Sequence, residues 1–144
     1  MCIVEFIFND GGRAKAGFKG SAGDCVCRAI AIATGRPYKE IYNLINEYAK
    51  KERNSKRFKK SSARDGVRRA TAKKILESMG WTWVPTMRVG QGCKVHLKAN
   101  ELPEGRLIVN LSKHFTAVID GVINDTYDCS REETRCVYGY YIKL

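Results

Sequence analysis

Long apolar runs and acidic residues are both scarce in this chain of 144 residues. No stretch approaches the roughly 20 apolar residues that cross a bilayer, so the sequence predicts no membrane-spanning helix and no membrane partner. The first residues, Met1-Cys2-Ile3-Val4-Glu5, also lack the basic-then-apolar order of a secretory signal. We therefore expect an intracellular protein that works in the cytoplasm.

Internal repeats, low-complexity linkers and a second domain-sized segment are absent as well. The length is typical of one domain, and a hydrophobic content of 44% is enough to build one sizeable core. We predict a single domain that covers residues 1–144.

The cysteines lack the two close pairs that are typical of a structural zinc site. Cys93 and His96 have a C-x-x-H spacing, to which Cys129 or Cys136 could add ligands, but no second close pair exists. We predict no metal and no cofactor. Without an export signal, thiols are expected rather than disulfides. The six cysteines are Cys2, Cys25, Cys27, Cys93, Cys129 and Cys136.

Acidic residues number 15 against 26 lysines and arginines, which gives a net charge of +11. The excess is concentrated in residues 50–74, where only Glu52 and Asp65 are acidic. Such a segment favours nucleic acid or an acidic protein as partner, although a solvated helical face is the alternative interpretation. The candidate binding residues are Lys56, Arg57, Lys59, Lys60, Arg64 and Arg68.

The periodicity of the sequence changes at Gly80. Before it, a short strand at residues 3–8 is followed by three predicted helices: 24–35 with Asp24 as N-cap, a second beginning at Pro37, and a third over about 63–79. After it, period-two segments predict strands at 81–84, 106–111, 114–119, 122–127 and 137–142. This order predicts an α+β fold, with a helical N-terminal half packed on an antiparallel sheet formed mainly by the C-terminal half.

Asp120-Gly121 lies between two apolar runs and predicts a tight type I′ hairpin. The register that follows puts Thr116 opposite Asp125, so that His114 and Asp125 are diagonal neighbours on one face. Diagonal Cβ atoms lie about 7 Å apart, which allows an imidazole and a carboxylate to hydrogen-bond. Asp128 falls on the opposite face and is the weaker candidate.

Cys25 occupies the first turn of the first predicted helix. The helix dipole and the unpaired N–H groups there favour a thiolate, and a histidine oriented by a carboxylate is a suitable base for it. Cys27 points roughly 200° around the helix from Cys25, so both cannot face the histidine. The pattern also fits a buried structural cysteine and a satisfied His–Asp pair, which need no catalysis.

Three segments carry a resemblance to a known superfamily. They are residues 9–13 (NDGGR), 23–35 (GDCVCRAIAIATG) and 114–121 (HFTAVIDG). A cysteine at the start of a central helix, then a strand histidine, then a carboxylate on the next strand resembles the papain-like cysteine peptidase superfamily. Over nearly the whole chain, the sequence is similar to small phage- and prophage-encoded proteins of unassigned role.

The resemblance implies a papain-like fold in which Cys25 is the nucleophile, His114 the general base and Asp125 the orienting carboxylate. It implies a peptidase, isopeptidase, amidase or acyl transferase that forms an acyl-enzyme on a peptide or protein substrate, in the host cytoplasm if phage-encoded. Some members of the superfamily only bind, which leaves open a non-catalytic module for nucleic acid or an acidic host protein.

The sequence departs from papain at the oxyanion hole. Papain has a glutamine six residues before its cysteine, and Lys19 stands at the matching position here. The backbone N–H of Cys25 would provide one donor, and Asn9 or a loop amide near Gly20 would provide the second.

Overall fold

A computed structural model describes residues 5–20, 23–88 and 90–143 of the chain. Three helices lie in the first part, α1 (Cys25–Thr34), α2 (Tyr38–Lys50) and α3 (Arg69–Ser78). The strands are β1 (Glu5–Phe8), β2 (Thr82–Pro85), β3 (Arg106–Leu111), β4 (His114–Ile119), β5 (Val122–Asp125) and β6 (Gly139–Ile142), and a short 3₁₀ turn covers Ala99–Glu101.

The six strands form one sheet in the order β1-β5-β4-β3-β6-β2. All neighbours are antiparallel except β1 and β5, which run parallel. The α+β prediction is therefore confirmed, with the helices mainly in the N-terminal half and the sheet mainly in the C-terminal half. Among the described residues, no helix combines the length and apolar character that spanning a membrane requires.

Apolar side chains pack on both faces of the sheet, because successive residues of a strand point to opposite sides. In β3, Ile108 belongs to the cluster that covers α1, α2 and α3, whereas Leu107 and Val109 belong to a second cluster on the other face. That second cluster is completed by side chains from irregular segments, namely Leu97, Leu102, Cys129 and Val137. The sequence pattern did not predict this second layer.

The helix boundaries differ from the prediction at α3. Gly35 ends α1 in a left-handed conformation (φ 69°), as predicted, since glycine adopts this conformation without steric cost. The third helix begins only at Arg69, because residues 62–66 close a turn in which Ser62 and Gly66 exchange backbone hydrogen bonds of 2.8 and 3.0 Å. The predicted strands at 122–127 and 137–142 are also shorter, and residues 3 and 4 of the predicted first strand lie outside the described residues.

The prediction of thiols is wrong for two cysteines. Cys93 and Cys136 form a disulfide, with their Cα atoms 5.9 Å apart and a sequence separation of 43. A backbone bridge between His96 and Cys136 brings the two segments together. Because Cys93 and Cys136 bind each other, neither is a free ligand for the zinc site that the C-x-x-H spacing allowed. The free cysteines of the described residues are Cys25, Cys27 and Cys129.

Replacing Cys93 by serine should lower the free energy of unfolding by about 4 kcal/mol, because the 43-residue loop is no longer closed in the unfolded chain. Urea unfolding under oxidising conditions measures this loss. Adding a reductant should bring the wild type down to the stability of Cys93→Ser and leave the variant unchanged. Equal stabilities of the two proteins without reductant would contradict the disulfide.

Candidate active site

The hairpin between β4 and β5 places a histidine beside a carboxylate. Asp120 and Gly121 both have positive φ angles, 49° and 79°, as the type I′ turn requires. The register through Ala117 and Asn124 is the predicted one. At the far end of the hairpin, Nε2 of His114 lies 2.7 Å from Oδ2 of Asp125.

Asp125 is surrounded by hydrogen-bond donors in the interior. Its Oδ1 accepts the Thr126 N–H at 2.7 Å and lies 3.4 Å from the Arg28 guanidinium. Burial raises the pKa of Asp125, but the hydrogen bond and charge of His114 outweigh burial and hold that pKa below its ordinary value. Burial lowers the pKa of His114, but the hydrogen bonds with Asp125, Cys129 and Cys25 and the charge of Asp125 together outweigh burial and raise that pKa. The lowered pKa of Asp125 and the raised pKa of His114 both favour an imidazolium–carboxylate pair.

Cys25 is the first residue of α1 and is half-buried. Burial raises the pKa of its thiol, but a hydrogen bond with His114 and another from the backbone N–H of Phe115 outweigh burial. The positive charges of His114 and Arg28 add to this effect, and the pKa lies below the ordinary 9.0. Because Nε2 of His114 binds Asp125, Nδ1 is the nitrogen left to exchange a proton with Cys25.

Cys27 has the opposite environment although it is only two residues away. It is completely buried, and its Sγ lies 3.8 Å from the carbonyl oxygen of Tyr38. Burial and the negative charge of Asp24 raise the pKa of Cys27 to about 12. Cys27 is therefore a core residue, and Cys25 has the properties of a nucleophile.

Asp24 has a different role from the predicted N-cap. Its side chain makes no capping hydrogen bond to α1. It is 2% exposed and instead binds Arg28, the hydroxyl of Tyr38 at 2.6 Å and Nε of Arg13 at 3.4 Å. These contacts tie the start of α1 to the start of α2 and to the preceding loop. They also leave the first N–H groups of α1 without a side-chain cap.

A cavity of about 430 Å³, called here the thiol pocket, opens over Cys25 and His114. Its walls come from the start of α1, residues 65–67, Arg69, the β3–β4 turn and Tyr127. A larger cavity of about 580 Å³ lies at the other end of α1, but its lining contains no cysteine and no histidine. Of these two cavities, the thiol pocket is therefore the one whose walls carry a nucleophilic and a basic side chain.

The structure does not bring Asn9 into the thiol pocket. Its Nδ2 donates to Oδ1 of Asn124 at 3.3 Å, and its Oδ1 accepts the Gly11 N–H at 2.9 Å. Its backbone N–H donates to the carbonyl of Asp125 at 2.8 Å. Asn9 thus fixes the loop after β1, and its expected role as oxyanion donor is corrected to a structural one.

Cys129 is a third group beside the His–Asp pair, which the sequence did not single out. Its Sγ lies 3.7 Å from Oδ2 of Asp125. One ligand atom each from His114, Asp125 and Cys129 lie within 4.8 Å of one another, and such a set could hold Zn²⁺. An ion bound there would compete with the hydrogen bond through which Asp125 orients His114.

The alternative acid of the sequence analysis, Asp128, does not contact His114 in any hydrogen bond of the described residues, and its Oδ1 accepts the Ser130 N–H at 3.0 Å.

The basic candidates lie outside the thiol pocket, on and after the loop that joins α2 to α3. Lys56, Arg57, Lys59 and Lys60 are exposed, as is Arg64. The Arg68 side chain is only 17% exposed and binds carbonyl groups of the loop itself. Arg68 therefore acts on the loop rather than on a partner.

Comparison of the whole chain with protein-family models, with curated proteins and with solved structures found no match. The geometry of the site is therefore the basis for inferring a function.

Asp24→Asn should lower the free energy of unfolding by about 3 kcal/mol, because it removes the carboxylate that Arg13 and Arg28 share and leaves Arg28 with only its longer contact to Asp125. Urea unfolding gives the value. Asp65→Asn is the matched control, and at its exposed position the change should stay within about 0.5 kcal/mol. Equal effects of the two substitutions would contradict a structural role for Asp24.

The rate of Cys25 alkylation by iodoacetamide should rise with pH through a midpoint below 9.0, because the thiolate is the reactive form. In His114→Ala the midpoint should move upward, since burial then acts without the opposing imidazolium. Asp125→Asn should give an intermediate shift. Mass spectrometry of the labelled peptide across pH measures each midpoint, and an unshifted His114→Ala profile would contradict the coupling.

Proposed function

We propose that the protein is a papain-like thiol hydrolase or acyl transferase that acts on a peptide, isopeptide or other amide bond. One arrangement carries the proposal: Cys25 and His114 line the same pocket, His114 lowers the pKa of the Cys25 thiol, and Nε2 of His114 lies 2.7 Å from Oδ2 of Asp125. A pocket open to substrate lies directly above it.

In the acylation step, the Cys25 thiolate attacks the carbonyl carbon and forms a C–S bond. The carbonyl π electrons move to the oxygen, which becomes an oxyanion. When the tetrahedral species collapses, the C–N bond breaks and His114 delivers its proton from Nδ1 to the leaving nitrogen. Asp125 keeps the ring oriented and stabilises its charged form.

In the second step, neutral His114 removes a proton from the acceptor as the acceptor attacks the thioester. Water as acceptor gives hydrolysis, and an amine gives acyl transfer. The thiolate of Cys25 leaves, and the imidazolium is restored. The backbone N–H groups at the start of α1, which carry no side-chain cap, are suitable donors to the oxyanion in both steps.

The sequence resemblance supports a phage or prophage origin, and with it a host-cytoplasmic site of action. A peptide or protein substrate suits the thiol pocket, because a surface cavity of about 430 Å³ accepts a side chain together with the chain that bears it. The chemistry proposed for Cys25 requires neither a metal nor a cofactor.

The second candidate function is binding of nucleic acid or an acidic host protein without catalysis. It is favoured by the exposed basic side chains of residues 56–60 and by the neighbouring Phe58, which is 53% exposed. An exposed aromatic ring among cations is typical of surfaces on which bases stack.

Brief treatment with an electrophile at neutral pH should label Cys25 at least about tenfold faster than Cys27 or Cys129, because the Cys25 thiol is partly exposed and has a lowered pKa whereas the other two thiols are buried. Cys25→Ala should abolish the fast label. His114→Ala should slow it without unfolding the protein, as circular dichroism would verify. Mass spectrometry assigns the label to its peptide, and equal labelling of Cys25, Cys27 and Cys129, the free thiols of the described residues, would refute the catalytic proposal.

A further inference from the structure

A second cavity, of about 270 Å³, adjoins the thiol pocket. Residues 65–67 belong to the walls of both, so this short segment borders the two cavities. The other walls of the second cavity include Phe58, Lys59 and Lys60, from the loop that joins α2 to α3. A chain that leaves the thiol pocket over residues 65–67 therefore enters a cavity bordered by lysines. We call residues 56–60 together with this cavity the basic shelf.

The backbone of the shelf is held by one side chain. The Arg68 guanidinium donates to the carbonyl groups of Arg53, Phe58 and Lys59, at 2.9, 3.1 and 2.8 Å. Three carbonyl groups from two ends of the loop thus share one planar donor. The loop is a fixed platform, with the lysines on its outer side.

A buried acid closes the base of the loop. Glu52 accepts the Ser61 N–H at 2.6 Å and the hydroxyl groups of Ser61 and Thr71. Burial raises the pKa of Glu52, but these hydrogen bonds outweigh burial and hold that pKa below its ordinary value. Because Glu52 is directed inward, its negative charge does not offset the lysines on the outer side.

The charge of the shelf is consequently one-sided. Residues 53–67 contain a single acid, Asp65, which stands in the shared wall. Arg69 and Lys113 add positive charge on the side of the thiol pocket. The basic side chains exposed on the shelf are Lys56, Arg57, Lys59 and Lys60.

We propose that the substrate of the thiol site is a peptide segment whose acidic side chains lie on the basic shelf while its acyl carbon lies over Cys25. This inference rests on the proposed function. An acidic peptide fits better than nucleic acid, because the shelf leads into a pocket where Cys25 requires an acyl carbon, which nucleic acid does not supply. Opposite charges along a substrate path raise the association rate, typically by tenfold or more at low salt.

The test uses two pairs of peptide electrophiles, because a chain can reach the shelf from either end. One pair carries a chloroacetyl group at the N-terminus and the other a chloromethyl ketone at the C-terminus. Each pair is made with Glu-Glu and with Gln-Gln, which match in shape. In the pair whose reactive end lets the peptide run from Cys25 onto the shelf, the Glu-Glu probe should label Cys25 about tenfold faster than the Gln-Gln probe at low salt. The advantage should vanish at about 1 M salt, where charges are screened within about 3 Å.

Two variants of equal net charge locate the effect. Lys59→Gln with Lys60→Gln should remove most of the Glu-Glu advantage. Lys94→Gln with Lys143→Gln, two exposed lysines that border neither the thiol pocket nor the shelf, should retain it. Iodoacetamide should label Cys25 equally in both variants, because neither pair contacts the thiol.

The outcomes separate this inference from the function on which it rests. Equal rates for Glu-Glu and Gln-Gln in both pairs, with Cys25 still alkylated by iodoacetamide in a His114-dependent way, overturn the acidic substrate alone. Loss of that His114 dependence overturns the thiol chemistry itself. A single-stranded oligonucleotide that binds the wild type but not the shelf variant, without any probe preference, assigns the shelf to nucleic acid and also overturns the inference.

Discussion

A carboxylate nearly closed off from water joins the two halves of the candidate site. Asp125 is 3% exposed and binds the ring of His114 on one oxygen and the Arg28 guanidinium on the other. An unpaired charge at this depth would be costly, so folding must bring both partners to it. Because Arg28 belongs to α1 and His114 to β4, satisfying this charge sets the helix that carries Cys25 against the hairpin that carries its base.

Two other inward-facing carboxylates are also stabilised by partners within the protein. Asp24 joins the starts of α1 and α2, and Glu52 closes the loop before α3. Both accept several hydrogen bonds in place of water. Since the chain has only 15 acidic residues and directs some of them inward, positive side chains dominate the surface. The architecture and the surface potential are therefore linked through the placement of a few carboxylates.

Local patterns predicted the parts of the site that depend on neighbours in sequence. The Asp120-Gly121 turn fixes its own register, and period two then determines that His114 and Asp125 share a face. The position of Cys25 at the start of a helix follows from Gly35 and the apolar pattern between them. The opposite environment of Cys27 follows from the helical rotation.

Features that depend on distant segments could not be predicted in this way. Aspartate is a residue type that is favoured at N-caps, but once α2 packs on α1 the Arg28 guanidinium and the Tyr38 hydroxyl bind the carboxylate oxygens of Asp24 in place of the helix N–H groups. Asn9 lies in a polar turn, and its engagement by Asn124 requires the parallel pairing of β1 with β5. The start of α3 depends on the bonds between Ser62 and Gly66, and the second apolar layer comes from irregular segments without periodicity.

The coexistence of the Cys93–Cys136 bond with the accessible Cys25 sulfur gives the molecule two opposed responses to its surroundings. An oxidant that preserves the covalent cross-link also consumes the nucleophile, through sulfenic acid or a mixed disulfide. A reductant that regenerates the nucleophile opens the cross-link once it reaches it. The cross-link and the free Cys25 thiol are consequently favoured by different redox conditions: oxidising conditions preserve the first, and reducing conditions preserve the second.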